Sequence, residues 1–165
     1  SGIVHVSDGK SVIAELSVKE NLALPGIWRK DKKDVALATS EVIELFPILG
    51  QRLSQSAASL SGGERQGVAI ARAILFDSRM VVLDEPTSAM ALSETAEVLE
   101  FIKGLKESGK SVVFISHNPW DAYAVADRFV ILERGKIAID CPKGDLTVDD
   151  FIALLHRFAK KDAKK

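Results

Sequence analysis

The sequence predicts an α/β fold in which a parallel sheet is flanked by helices. The segments Arg79–Leu83 and Ser111–Ser116 are short and rich in β-branched residues, which is typical of buried strands. Between them, Ser93–Glu107 carries apolar residues at helical spacing, and Gly109 follows as a common helix-ending residue. Because strand, helix and strand alternate, a right-handed crossover between parallel strands is expected.

The first 60 residues are predicted to form one mostly helical region. Ile3–Val6 is short and apolar and predicts a strand or the end of one. Ser17 and Glu20 have the spacing of a capping box, so a short helix is expected to begin at Ser17 and to end before Pro25. The next segment, Asp31–Leu45, has an apolar face at helical spacing and predicts a longer helix.

The elements after residue 60 are predicted from equally local signals. A helix is expected to begin at Ser61 and to run to about residue 76, and a shorter one to cover Trp120–Ala126. Glu133–Lys136 contains a glycine between two apolar runs and predicts a hairpin. Thr147–Phe158 predicts the last helix, with Asp150 at capping-box spacing from Thr147.

Composition limits the classes of function. The chain of 165 residues is 47% hydrophobic and 27% charged, which fits a globular protein of about one domain. Its net charge of −1 provides no field that would favour nucleic acid as a partner. No apolar run approaches the ~20 residues of a membrane-spanning helix, and the first residues do not resemble a signal peptide. Cys141 is the only cysteine and is expected in a turn before Pro142, with a structural role.

Ser61, Gly62 and Gly63 form a candidate phosphate site at the start of a predicted helix. Adjacent glycines let a ligand approach the backbone, and a helix N-terminus offers unpaired N–H groups and the positive end of a dipole. These three residues are also compatible with a serine N-cap followed by a flexible turn. Taken alone, they favour that simpler interpretation.

Asp84 and Glu85 form a candidate catalytic pair at the end of a predicted strand. In open α/β sheets, ligands bind beyond the carboxyl ends of the strands. A carboxylate in that place can hold Mg²⁺ through its water shell, and a second one can polarise water for attack on a phosphoryl group. The alternative is an ordinary pair of acids where a strand passes into a turn.

For both candidate sites, the surrounding residues favour the functional interpretation, because they resemble the motifs of a known family. Leu60–Gln66 (LSGGERQ) with the following Ala71–Ala73 resembles the signature motif of ATP-binding cassette (ABC) ATPases almost letter for letter. The resemblance implies that Ser61, Gly62, Gly63 and Glu64 contact the ATP of a partner subunit. It also implies that Asp84 is the Walker B aspartate, which holds magnesium through water, that Glu85 is the catalytic glutamate, and that His117 is the switch histidine near Glu85.

The same resemblance implies an architecture and a setting. The fold would be part of a P-loop NTPase (ABC ATPase) core, with a helical subdomain and Q-loop region at residues 1–60 and the remaining core at residues 61–165. Leu60–Leu75, Phe114–Arg134 and Lys143–Thr147 are most similar to single-cassette ATPases of fructose and other simple-sugar importers. Asp8–Leu22 is also similar to ATPases of branched-chain amino-acid importers. Expected partners are a second cassette subunit and a membrane permease, with ATP and magnesium as ligands, at the inner face of the cell membrane.

Three features of the family are missing or altered. No G-x-x-x-x-G-K-[ST] string, which would hold the β- and γ-phosphates, occurs in the sequence. In the family this string lies upstream of the segment that resembles this chain, so we expect a fragment that hydrolyses negligible ATP on its own. The place of the Q-loop glutamine is taken by Ser7 or Asp8, and Asp8 is either a metal contact or a turn residue. Ala91 replaces the usual D-loop aspartate.

Two other functions remain open on the sequence alone. One is a non-transport ABC protein, although the paired cassettes or long heptad arms of such proteins are absent from this sequence. The other is a non-hydrolytic dimerisation or binding module, formed by a degenerate or split cassette.

Overall fold

The computed structural model describes residues 2–7, 11–27, 32–76, 78–88 and 90–162, and it confirms the predicted α/β class. The chain divides into two compact units, Ser1–Ile115 and Ser116–Lys165. The family resemblance predicts a different division, between a helical subdomain at residues 1–60 and the remaining core at residues 61–165. That division stays a prediction.

The first unit is built on a three-stranded parallel sheet. Its strands are β1 (Ile3–Val6), β2 (Met80–Asp84) and β3 (Ser111–Ile115), in the spatial order β1-β2-β3. The register aligns the carboxyl ends, because Val6 lies beside Leu83 and Asp84 lies beside Ile115. All three strands therefore end at the same edge of the sheet, as a parallel arrangement requires.

Helices occur in both units. In the first unit they are α1 (Val18–Ala23), α2 (Lys32–Leu45), α3 (Pro47–Gln51), α4 (Gly62–Leu75) and α5 (Leu92–Glu107), and in the second α6 (Pro119–Val125) and α7 (Val148–Asp162). The predicted helices agree with these to within a few residues at each end. Over the part of the chain that is described, none of these helices is long and apolar enough to cross a membrane.

Helix starts follow the predicted capping boxes. At α1 the Glu20 N–H donates to Ser17 Oγ at 3.2 Å, and the Ser17 N–H donates to Glu20 Oε2 at 2.8 Å. At α7 the same reciprocal pair joins Thr147 and Asp150. Each box satisfies backbone N–H groups that have no partner inside the helix, which fixes where the helix begins.

The core of the first unit lies where α4 meets the sheet and the neighbouring helices. Ile70 and Leu75 of α4 are buried, as are Val81 and Leu83 of β2 and Ile102 of α5. Alternate residues of β2 are fully buried, which is the pattern of a strand with one well-covered face. The helix that begins at Ser61 packs against β1, which is the neighbour of the strand that ends at Asp84.

The prediction that β3 is a buried strand was wrong. Its residues alternate between half-buried and exposed, and Val113 and Ile115 are 43% and 46% exposed. The physical reason is that Val113 and Ile115 lie on one face of the sheet, and within the first unit this face is poorly covered, since Ile3 of β1 on the same face is exposed as well. An apolar, β-branched run predicts a strand but not how many neighbours cover it.

The second unit contains the predicted hairpin. Its strands are β4 (Arg128–Glu133) and β5 (Lys136–Pro142), and they pair antiparallel. Arg134 and Gly135 both have positive φ, 51° and 75°, as a two-residue type I′ turn requires. Cys141 lies within β5, so its predicted place in a turn was wrong, because the apolar pairing of the hairpin extends through Pro142.

Candidate nucleotide-binding surface

The first turn of α4 has the geometry of an anion site. Ser61 is the N-cap, with φ −62° and ψ 167°, and its Oγ accepts the Glu64 N–H at 3.2 Å. The Glu64 carboxylate accepts the Ser61 N–H at 2.8 Å, which completes the capping box. Gly62 and Gly63 occupy the first two helical positions, so their N–H groups have no carbonyl partner within the helix.

Glu64 is held from a second direction as well. Arg52, in the turn after α3, places its Nε 3.0 Å from Glu64 Oε1. Arg65 donates from Nη1 to the Leu60 carbonyl at 2.5 Å, which fixes the residue before the cap. Side chains therefore connect the C-terminal end of α3 to the first turn of α4. These contacts hold the exposed Ser61–Gly62 edge in place.

Asp84 and Glu85 lie at the carboxyl end of β2. Both are half-buried, and one carboxylate oxygen of Glu85, Oε2, is buried. The Glu85 N–H donates to the Ile115 carbonyl at 2.9 Å, so the ladder to β3 continues one residue past the strand. Glu85 has φ 49°, in the left-handed region that side-chain-bearing residues rarely adopt. Backbone strain of this kind clusters at functional sites.

The loop after β1 lies at the same sheet edge. Since Val6 is level with Leu83, the next residue, Ser7, is level with Asp84 on the neighbouring strand. The Ser7 N–H donates to Ser11 Oγ at 3.0 Å, and the two hydroxyl oxygens are 3.4 Å apart. Asp8 lies outside the described residues, so its role as a metal contact is not addressed by this geometry.

Buried Asn21 holds the continuation of this loop. Its Oδ1 accepts the Ile13 N–H at 3.0 Å, and its Nδ2 donates to the carbonyls of Ile13 and Ser17 at 2.9 and 3.0 Å. The side chain is 0% exposed. A single amide thus closes several hydrogen bonds of a non-helical segment, which otherwise would leave backbone groups unpaired in the interior.

His117 is exposed and lies two residues beyond β3, in the second unit. Asn118 follows it and caps α6, with its Oδ1 accepting the Trp120 N–H at 3.0 Å. This cap fixes the backbone after His117. The predicted approach of His117 to Glu85 stays a prediction.

The donor set fits magnesium better than a metal with an all-protein cage. Among the described residues, no three His, Cys, Asp or Glu side chains lie together as a metal-binding group. Mg²⁺ commonly keeps several waters and uses one or two carboxylates together with substrate phosphates. Asp84, half-buried at the strand end, can supply such a carboxylate.

Sequence reasoning found the capping residues and the two acids but missed their supports. The Arg52–Glu64 ion pair, the Asn21 contacts and the Ser7–Ser11 hydroxyl pair were not predicted. A capping-box signal fixes Glu64 toward Ser61, but nothing in the local pattern indicates that Arg52 also reaches it. For Ser7 the signal was available in principle, because aligning the ends of two parallel strands places it next to Asp84.

Replacement of Ser61 by alanine is expected to lower the free energy of unfolding by about 1 kcal/mol, because the Glu64 N–H loses its acceptor. Urea unfolding followed by circular dichroism measures the change. Ser93→Ala, an exposed serine in the first turn of α5, is the matched control and should change the stability by about 0.5 kcal/mol or less. Equal stabilities of the two variants would contradict a structural role for the Ser61 cap.

Comparison with known proteins agrees with this geometry. The family model described as "ABC transporter" matches residues 1–88, which is more than half of the chain. This chain belongs to the ABC transporter family.

Individual relatives are similar to it along most of its length. The branched-chain amino acid transport ATP-binding protein BraG of Pseudomonas aeruginosa is 37% identical over 137 residues, covering 83% of this chain and 58% of BraG. The xylose/arabinose import ATP-binding protein XylG of Sulfolobus acidocaldarius is 36% identical over 162 residues, covering 96% of this chain and 64% of XylG. This chain therefore spans only about three fifths of the length of these curated relatives.

A solved structure shows the same fold. A dimeric ATP-binding cassette, captured in a post-hydrolysis state with ADP and Pi, superposes with a TM-score of 0.77 at 25% identity. The match covers 87% of this chain and 63% of that one.

Proposed function

We propose that this chain acts within the ATP-binding subunit of an ABC importer, and that its surface completes an ATP site held mainly by a partner subunit. The observation that carries the proposal is the start of α4. Ser61 and Gly62 form the exposed edge of a capped helix N-terminus, Gly63 is buried behind them, and the Arg52–Glu64 ion pair holds this turn. A phosphate group is the ligand that such an edge fits best.

Glu85 is proposed as the group that accepts a proton from the attacking water. A carboxylate fixed one residue past a strand, with its backbone hydrogen-bonded to β3, keeps its position while charge develops in the reaction. Asp84 would bind magnesium through water, and the bound ion would neutralise charge on the phosphates. His117 is proposed to hydrogen-bond a phosphate oxygen at the same site.

A simple sugar is the proposed cargo of the transporter. XylG, named for xylose and arabinose, resembles this chain over nearly its whole length, whereas the match to BraG is shorter. The permease would carry the sugar pathway, and this chain would be placed at the inner face of the membrane by contact with it. A second cassette subunit is part of the proposal. In the composite ATP site, one subunit supplies the Ser61–Gly62 edge and the other supplies the G-x-x-x-x-G-K-[ST] loop that holds the phosphates.

The proposal is tested by purifying the tagged chain from its own cells with the partners it retains. ATP turnover of the assembly is then compared with turnover by the 165-residue chain alone. We expect turnover in the assembly and none above background in the isolated chain, because no phosphate-binding G-x-x-x-x-G-K-[ST] loop occurs in its sequence.

Two variants at Gly62 separate stability from nucleotide binding. Gly62→Asp places a negative charge at the first helical position, which favours the helix but repels a phosphate. We expect assembly turnover to fall at least about tenfold, while Gly62→Ala has a smaller effect. Turnover by the isolated chain that disappears in Glu85→Gln would contradict the dependence on a partner. An assembly that neither binds nor hydrolyses ATP would favour a non-hydrolytic module.

A further inference from the structure

A cavity of about 340 Å³ lies in the first unit, away from the signature edge. It is lined by β1, the segment that follows β1, and the second half of α4. The walls are partly apolar, with Val4, Val6 and Phe76, and the polar lining comes from His5, Ser11 and Arg72. Among the described residues, no acidic side chain takes part in this lining.

Arg72 is a half-buried cation in this lining. Its Nη1 donates to the Ser11 carbonyl, while its Nε is buried without a hydrogen-bond partner. Within the described parts of the chain, no carboxylate forms an ion pair with it. Burial lowers the pKa of the guanidinium, which reflects a charge removed from water without a compensating anion.

The guanidinium group of Arg72 can donate hydrogen bonds from two different edges. Nη1 is engaged with the protein backbone, so the edge formed by Nε and Nη2 remains for a ligand. Two parallel N–H groups on this edge match two oxygens of one carboxylate or phosphate. If the side chain rotated so that the buried Nε faced the cavity, an oxyanion would satisfy a donor that is costly to leave unpaired.

We propose that this cavity binds a small oxyanion, a carboxylate or a phosphate group, through the Nε–Nη2 edge of Arg72. The ligand would lie between β1 and α4, the two elements that line the cavity. The bound anion joins a network that already links two functional segments. Arg72 holds the Ser11 carbonyl, and the Ser11 hydroxyl accepts the N–H of Ser7, next to Asp84 in register.

The test is a titration of the 165-residue chain with sodium acetate and, separately, with sodium phosphate at constant ionic strength. Arginine Nε–Hε signals in nitrogen-15 spectra report each guanidinium, and the Arg72 signal is assigned by triple-resonance spectra of the wild-type chain. We expect the Arg72 signal to shift saturably with at least one of the two anions. Saturation by acetate alone identifies a carboxylate site, and saturation by phosphate alone identifies a phosphate site.

Arg79, an exposed arginine just before β2, provides the internal control, and Arg79→Lys the matched variant. In Arg72→Lys, binding measured by calorimetry should weaken at least about tenfold, because an ammonium group cannot present the planar fork. In Arg79→Lys it should be unchanged. A linear drift shared by Arg72 and Arg79 with both anions would overturn the proposal, and this wild-type result is decisive even if Arg72→Lys fails to fold.

Discussion

Replacement of Glu85 by glutamine is expected to lower ATP turnover by the assembled cassette by roughly 10²–10⁴-fold, while ATP binding persists. Glutamine has nearly the same shape as glutamate but cannot accept a proton from water. The backbone at residue 85 is fixed by the hydrogen bond to the Ile115 carbonyl, so the substitution should leave the strand end in place. The expected result is therefore a loss of chemistry without a loss of assembly.

Turnover and equilibrium binding of a fluorescent ATP analogue should be measured on the same preparation. Glu107→Gln is the matched control, because Glu107 is exposed at the end of α5 and has no proposed role in the reaction. It should retain turnover within about twofold, as expected for a surface substitution away from the site. Loss of ATP binding in Glu85→Gln, or turnover close to that of the wild type, would each contradict the proposed role of Glu85 as the general base.

Replacement of Asn21 by aspartate is expected to lower the free energy of unfolding by about 3 kcal/mol or more. In the wild type, Nδ2 donates to the carbonyls of Ile13 and Ser17 from a side chain that is 0% exposed. Aspartate would place an acceptor opposite these acceptors and a charge in the interior. The size and shape of the side chain barely change, so the effect reports the lost donors and the added charge and not a change in packing.

Chemical denaturation of the isolated chain measures this difference directly. Asn21→Ala should also destabilise the protein, because the Ile13 N–H loses its acceptor, but without introducing a charge. Gln51→Glu makes the same amide-to-acid change at the exposed end of α3 and should shift the stability by about 0.5 kcal/mol or less. An Asn21→Asp protein as stable as Gln51→Glu would show that the buried amide contributes little.

Features set by a few neighbouring residues could be predicted from the sequence. The start of α4 at Ser61 follows from a serine and a glutamate three positions apart, and the structure contains that reciprocal pair. The strand that carries Asp84 follows from a short β-branched run, and it ends where expected to within one residue. Both patterns depend on contacts within one turn or one strand, where chain geometry leaves few alternatives.

Features that depend on distant neighbours could not be predicted in this way. The exposure of Val113 depends on whether another element covers its face of the sheet, which its own residues do not specify. The contact between Arg72 and the Ser11 carbonyl joins residues 61 positions apart. Within the candidate site, Ser61, Asp84 and Glu85 lie in segments with strong local signals. His117 lies in the other unit, and its approach to Glu85 stays a prediction.

The left-handed backbone of Glu85 places stability and activity in opposition. At φ 49°, glycine would adopt the conformation without the steric cost that a side chain carries, a difference of about 1 kcal/mol. Glu85→Gly should therefore yield a more stable protein that has lost its proposed base. A library of variants selected only for thermal resistance would be expected to drift toward glycine at this position, while selection for transport would retain the strained glutamate.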